Sequence, residues 1–145
     1  MERRSTMGRH GLLAALAAGL LLGTAPAHAQ PAPPSLAVDL DIAEQVRGGG
    51  RETLTLTLTL AGDRGCSSVQ VRREPVRYDV QVCREGGDAS APVLSFAIER
   101  TEISPRGHSQ AKFRVTSRMA PGKRAVIGRV AHADGAGTYV TATVR

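Results

Sequence analysis

The stretch Gly65–Cys83, GCSSVQVRREPVRYDVQVC, carries the chain's 2 cysteines with Glu74-Pro75 between them. If the chain reverses at Glu74-Pro75, Cys66 faces Cys83, Val69 faces Val80 and Val71 faces Tyr78. The same register pairs Ser68 with Gln81, Gln70 with Asp79 and Arg72 with Arg77 on the opposite, polar face, which also carries both cysteines. A slip of one residue would turn every apolar side chain of one strand to the wrong face, so this agreement predicts a hairpin closed by a Cys66–Cys83 disulfide. Type I′ turns need positive φ at positions where Pro75 cannot supply it. The tip is therefore expected either as a four-residue loop from Arg73 to Val76 or as a cis Glu74-Pro75 bond, both of which keep the register.

Outward from the hairpin, alternation continues in both directions. Leu36, Val38, Leu40 and Ile42 point one way and Asp39 and Asp41 the other. After the glycines at 48, 49 and 50, the run ETLTLTLTL (52–60) separates a Thr face from a Leu face. A reversal centred on Gly49 would pair Ile42 with Leu56, Leu40 with Leu58 and Val38 with Leu60. Beyond the hairpin, Leu94, Phe96 and Ile98 form one core face, and Ala111, Phe113 and Val115 another. Thr101 to Ser109 read as the connection between them, around Ser104-Pro105-Arg106-Gly107. A last hairpin, Arg124 to His132 and Gly137 to Val144, centred on Gly135, would pair Val130 with Val140 and Val126 with Val144. Eight short strands and no helical period predict an all-β fold, a small antiparallel β-sandwich in preference to a barrel.

Residues 1–29 read as a cleaved signal peptide: Arg3, Arg4 and Arg9, an apolar run from Gly11 to Leu22, then Ala27-His28-Ala29. Residues 30–35, QPAPPS, read as a proline-rich tether, and residues 36–145 as a single domain. The whole chain has a net charge of +6; removing a leader with 3 basic residues and 1 acid leaves 16 against 12, a net charge of +4. Export and a disulfide imply a periplasmic or secreted protein with no membrane span after cleavage.

The segments ISPRGHSQAKFRV, APGKRAVIGRVAHADG and GTYVTATV, within residues 103–144, resemble the last three strands of bacterial immunoglobulin-like modules. The resemblance implies an immunoglobulin-like sandwich with a binding, spacing or assembly role in the envelope or outside the cell, and carries no site residues. The chain departs from that pattern in having no tryptophan and in placing its disulfide within one hairpin.

No catalytic signature is present. His108 and His132 are the histidines outside the leader, each beside polar residues, with no nucleophile motif or paired acids to complete a site. Two cysteines cannot complete a zinc site, and no cofactor is expected. With 2 Phe, 2 Tyr and no Trp, largely committed to the core, nucleic-acid binding is not expected. Arg72 and Arg77 face each other across the hairpin, an unfavourable pairing unless acidic groups intervene. With Arg64, Arg73 and Arg84 they make a candidate basic binding face for an envelope or extracellular protein or an anionic polysaccharide; alternatively, they pair with Glu74 and Asp79. The expected function is a non-catalytic, protein-binding adaptor or assembly module, acting through this hairpin or by strand addition at an open sheet edge. The alternatives are a secreted hydrolase inhibitor using the loop at Arg73–Val76 or Ser104–Gly107, and a binder of anionic cell-surface polymer.

Overall fold

Runs with an apolar residue at every second position bury one face by lying extended, and this pattern forms eight strands. They are β1 (Ser35–Gln45), β2 (Arg51–Ala61), β3 (Cys66–Arg73), β4 (Val76–Gly86), β5 (Val93–Ser104), β6 (Gly107–Arg118), β7 (Arg124–Ala131) and β8 (Gly137–Val144). The computed structural model describes residues 34–45, 48–132 and 136–145, and no helix occurs among them. The expected leader and most of the proline-rich tether lie outside the described residues; Ser35, at the tether's end, already belongs to β1.

The strands form two four-stranded antiparallel sheets, β2-β1-β8-β7 and β3-β4-β5-β6. The chain changes sheet only at β2–β3 and β6–β7, and β8 returns to pair with β1. These are meander connections. The immunoglobulin sandwich uses Greek-key connections, so this chain departs from it in topology as well as in its disulfide. The interlayer core holds Val38, Leu40, Leu60, Val82, Leu94, Phe96, Val140 and Val144, all fully buried.

The β3–β4 hairpin has the expected register throughout, from Cys66↔Cys83 to Arg73↔Val76. Its tip takes the second of the two expected forms, a cis Glu74–Pro75 bond with only those two residues between the strands. Arg84 N donates to Gly65 O at 2.9 Å, which fixes the phase of the ladder and leaves Cys66 and Cys83 at a non-hydrogen-bonded pair. Side chains are closest at such pairs, and the disulfide forms there with Cα atoms 4.0 Å apart.

Three expectations require correction. In β1–β2, Leu40 faces Leu56 and Ile42 faces Leu54, two residues away from the expected register. A two-residue shift keeps both apolar faces on one side, so alternation cannot detect it; the loop decides, with Gly48 at φ 103° and Gly49 at φ 92°. Between β5 and β6 the connection is only Pro105-Arg106, since Thr101–Ser104 and Gly107–Gln110 continue the ladder. The one large apolar side chain among them, Ile103, is exposed and the buried Thr101 is polar, so no apolar period marks these residues while the backbone still pairs.

The third correction lies in β7. Val130 faces Thr138 instead of Val140 and Gly128 faces Val140, two residues away from the expected register, and Val126 faces Thr141, so Ile127 is an extra, bulged residue. The bulge turns Ile127 inward, 7% exposed, and Val126 outward, 75% exposed, reversing the expected burial of Val126. Gly128 then lies under the Phe113 ring of β6: a Cβ at Gly128 would sit 2.9 Å from Phe113 Cε2. Phe113 therefore closes the β6–β7 seam over Gly128, where any side chain would have to displace the ring.

The bulge assigns opposite costs to neighbouring residues. Val126→Thr should change stability by no more than about 0.5 kcal/mol, and Ile127→Ala should cost about 2–4 kcal/mol in urea unfolding. Equal costs, or the reverse order, would show that the strand lacks the bulge.

Candidate functional site

The sandwich has two open seams, and they differ. The β6–β7 seam is filled by Phe113 on Gly128. At the β2–β3 seam, Leu58 and Leu60 are buried near the short connection to β3, but Leu54 and Leu56 are only partly buried toward the hairpin tip. There the sheets part around a cavity of about 320 Å³, lined by Ile42, Glu44, Glu52, Leu54, Tyr78, Arg100, His132 and the hairpin tip Arg73–Val76.

The cavity's inner wall is a polar network spanning both sheets. Arg100 continues the core-facing parity of Leu94, Phe96 and Ile98 on β5, and Glu44 continues that of Leu40 and Ile42 on β1. Their side chains are 12% and 22% exposed and meet at 2.5 Å between Nε and Oε1. Arg100 also donates to Glu102 at 2.9 Å, and Thr138 Oγ1 lies 3.5 Å from Glu44 and 2.8 Å from His132 Nε2. The Tyr78 hydroxyl hydrogen-bonds Glu44; burial and the adjacent carboxylate push its pKa upward and keep it a donor. Burial opposes ionisation of Glu44, but the Arg100 guanidinium and the Tyr78 hydroxyl outweigh it, leaving the carboxyl below its ordinary value of 4.5. Arg100 is likewise held protonated: burial disfavours its charge, and Glu44 and Glu102 more than compensate.

This network was missed at the sequence level although its signal is present. A charged residue at the next core-facing position of a strand, on two strands at once, marks where an interlayer core gives way to a buried ion pair.

The open seam also leaves an unpaired backbone edge. Gly62 N donates to Pro34 O at 2.9 Å, and this sets the phase of the β1–β2 ladder. The even-numbered leucines exchange hydrogen bonds with β1, so Thr53, Thr55, Thr57 and Thr59 turn their N–H and C=O groups to the free edge. Edge strands usually carry devices against unwanted pairing. β3 is short and ends in Arg72-Arg73, β6 carries Lys112, Arg114 and Arg118, and β7 carries Arg124, Arg129 and the bulge. β2 has no charge, proline or bulge between Thr53 and Ala61.

The five arginines of the candidate basic face do not act together. Arg84 points inward, 7% exposed, with Asp63 at 3.4 Å and the Gly87 carbonyl at 3.3 Å; on β4 it shares the parity of Val80 and Val82, and it plugs the end opposite Arg100. Arg72 pairs with Glu74 at 3.0 Å and Arg77 with Asp79 at 3.0 Å, the acidic partners that the sequence offered. Arg73 lies at the cavity rim and Arg64 in the exposed turn before β3. On the other sheet, Asp39 binds Thr57 and Arg145, and Asp41 binds Thr55 and Arg124. No group of three or more His, Cys, Asp or Glu side chains able to hold a metal occurs among the described residues.

The Glu44–Arg100 pair yields a pH test. A carboxyl whose folded pKa is depressed stabilises the fold fully above its unfolded value, near pH 4.5, and loses that contribution as pH falls through the folded value. Glu44→Gln should cost about 1–3 kcal/mol at neutral pH and flatten the loss of stability below pH ~4.5. An unchanged acid limb in the variant would place the pH dependence elsewhere.

Searches of protein-family models, curated proteins and solved structures gave no match to this chain. The functional reading therefore rests on its own geometry.

Proposed function

We propose that this chain is an exported, non-catalytic envelope or extracellular module that binds a protein partner by accepting a strand along β2, in an adaptor or assembly role. The observation that carries this reading is the β2 edge. It presents the backbone groups of four threonines beside two half-buried leucines, and it lacks the guards found on the other three edges. Strand addition draws its affinity from main-chain hydrogen bonds and its specificity from alternate side chains, which here would meet Leu54 and Leu56 on the inner face.

The disulfide fits an oxidising compartment, and no helix among the described residues is long and apolar enough to cross a membrane. A role of the immunoglobulin-like kind, holding or spacing envelope proteins, is compatible with a two-sheet sandwich, although the strand order is a meander. The polymer-binding alternative draws less support, because Arg72 and Arg77 each lie beside an acidic partner, Glu74 and Asp79, and Arg84 is internal.

Affinity capture from a cell-envelope extract, with low-salt then high-salt washes, tests the reading. The oxidised protein should hold a protein partner through high salt. Thr57→Pro should lose that partner at least tenfold, while Arg72→Ala with Arg77→Ala retains it. Thr57 N–H faces the free edge, so proline there removes no β1–β2 bond. Retention of only an anionic polymer that high salt releases and Arg72→Ala weakens would replace strand addition with an electrostatic surface.

A further inference from the structure

We propose that the strand accepted by β2 is β2 of a second copy of this chain, joined antiparallel about a two-fold axis into one eight-stranded sheet. This rests on the strand-addition reading above and names its occupant.

The argument begins with parity. In a two-fold antiparallel pair, facing residue numbers have a constant sum. An odd sum would set each Thr opposite a Leu and mix the two faces. An even sum sets Thr opposite Thr and Leu opposite Leu, and the TLTLTLTL run of β2 (53–60) satisfies it along its length. The hydrogen-bond phase agrees independently. Thr53, Thr55, Thr57 and Thr59 turn their backbone groups to the edge, so the hydrogen-bonded pairs of the new ladder must be Thr–Thr pairs. Centring the axis on Leu56 joins Thr55 to Thr57 of the second copy and Thr53 to Thr59, with about eight backbone hydrogen bonds. The leucines fall at non-hydrogen-bonded pairs, where side chains approach most closely. Leu56 then meets its own counterpart and Leu54 meets Leu58, covering the two leucines that the sandwich leaves partly exposed.

Charge singles out the same edge. Without the expected leader every copy carries the same net charge of +4, 16 basic against 12 acidic residues, so self-association is favoured where like charges do not meet. Antiparallel self-pairing of β3, β6 or β7 would draw together Arg72 and Arg73, Lys112 and Arg114, or Arg124 and Arg129. From Thr53 to Ala61, β2 is neutral.

Sedimentation equilibrium of the purified oxidised protein tests this, with the wild type, Thr57→Pro and Thr57→Ser compared across concentration and folding verified by circular dichroism. The wild type and Thr57→Ser should show a reversible dimer, and Thr57→Pro should weaken it at least tenfold with the β spectrum retained. Thr57→Lys, which places like charges near the axis without altering the backbone, should also weaken the dimer and guards against a proline variant that fails to fold. A monomeric wild type whose captured partner is still lost on Thr57→Pro would overturn the self-pairing and leave strand addition standing. A dimer indifferent to both variants would also overturn it, placing the contact on another surface. A monomer whose partner is indifferent to Thr57→Pro would overturn both readings.

Discussion

A β-strand has two faces, and in this protein nearly every strand gives one of them to the layer between two sheets. That constraint fixes more than burial. Because side chains alternate with period two, each strand's core residues determine the orientation of every other residue on it, including those with no affinity for a core. Arg84 on β4 and Arg100 on β5 lie inward because Val82 and Ile98 do. The fold accommodates them at its two ends, where the layer opens: Arg84 against Asp63 and the Gly87 carbonyl, Arg100 between Glu44 and Glu102.

The two ends and two seams give the sandwich an asymmetry that neither sheet has alone. One seam is covered by an aromatic ring on a glycine, and the other is tight at the Ala61–Cys66 connection and widens toward the hairpin tip. The disulfide lies near the narrow end and the Glu44–Arg100 pair at the wide one, so a covalent bond and a cross-sheet ion pair hold opposite ends of the molecule. Between them runs the β2 edge, with its leucine row half covered. The disulfide ties two strands of one sheet and the ion pair joins the two sheets, while the β2 edge between them keeps its backbone groups unpaired.

The candidate site was partly legible in the sequence. The TLTLTLTL run showed which residues share a face, and the hairpin showed its register and its cysteine pairing, because local alternation on two adjacent strands leaves one solution. The arginine face was not legible in the same way. Arg72 and Arg77 faced each other as expected, but their pairing with Glu74 and Asp79 depended on side-chain geometry, and the inward parity of Arg84 was overlooked. The Glu44–Arg100 network joins residues 56 positions apart on different sheets, and no local period reports such a contact.

The sequence alone determined the fold class, the strand count, the disulfide and the face to which most residues belong, because period two and a matched pair of cysteines are local properties. Only the tertiary structure decided quantities that a period of two leaves degenerate. These are the two-residue shift in β1–β2, the bulge that exchanges Val126 for Ile127, the meander order of the sheets, and the widening seam that exposes the β2 edge. Each depends on how distant strands meet. A glycine under a ring, a loop with positive φ and an ion pair between layers choose among arrangements that alternation treats as equal.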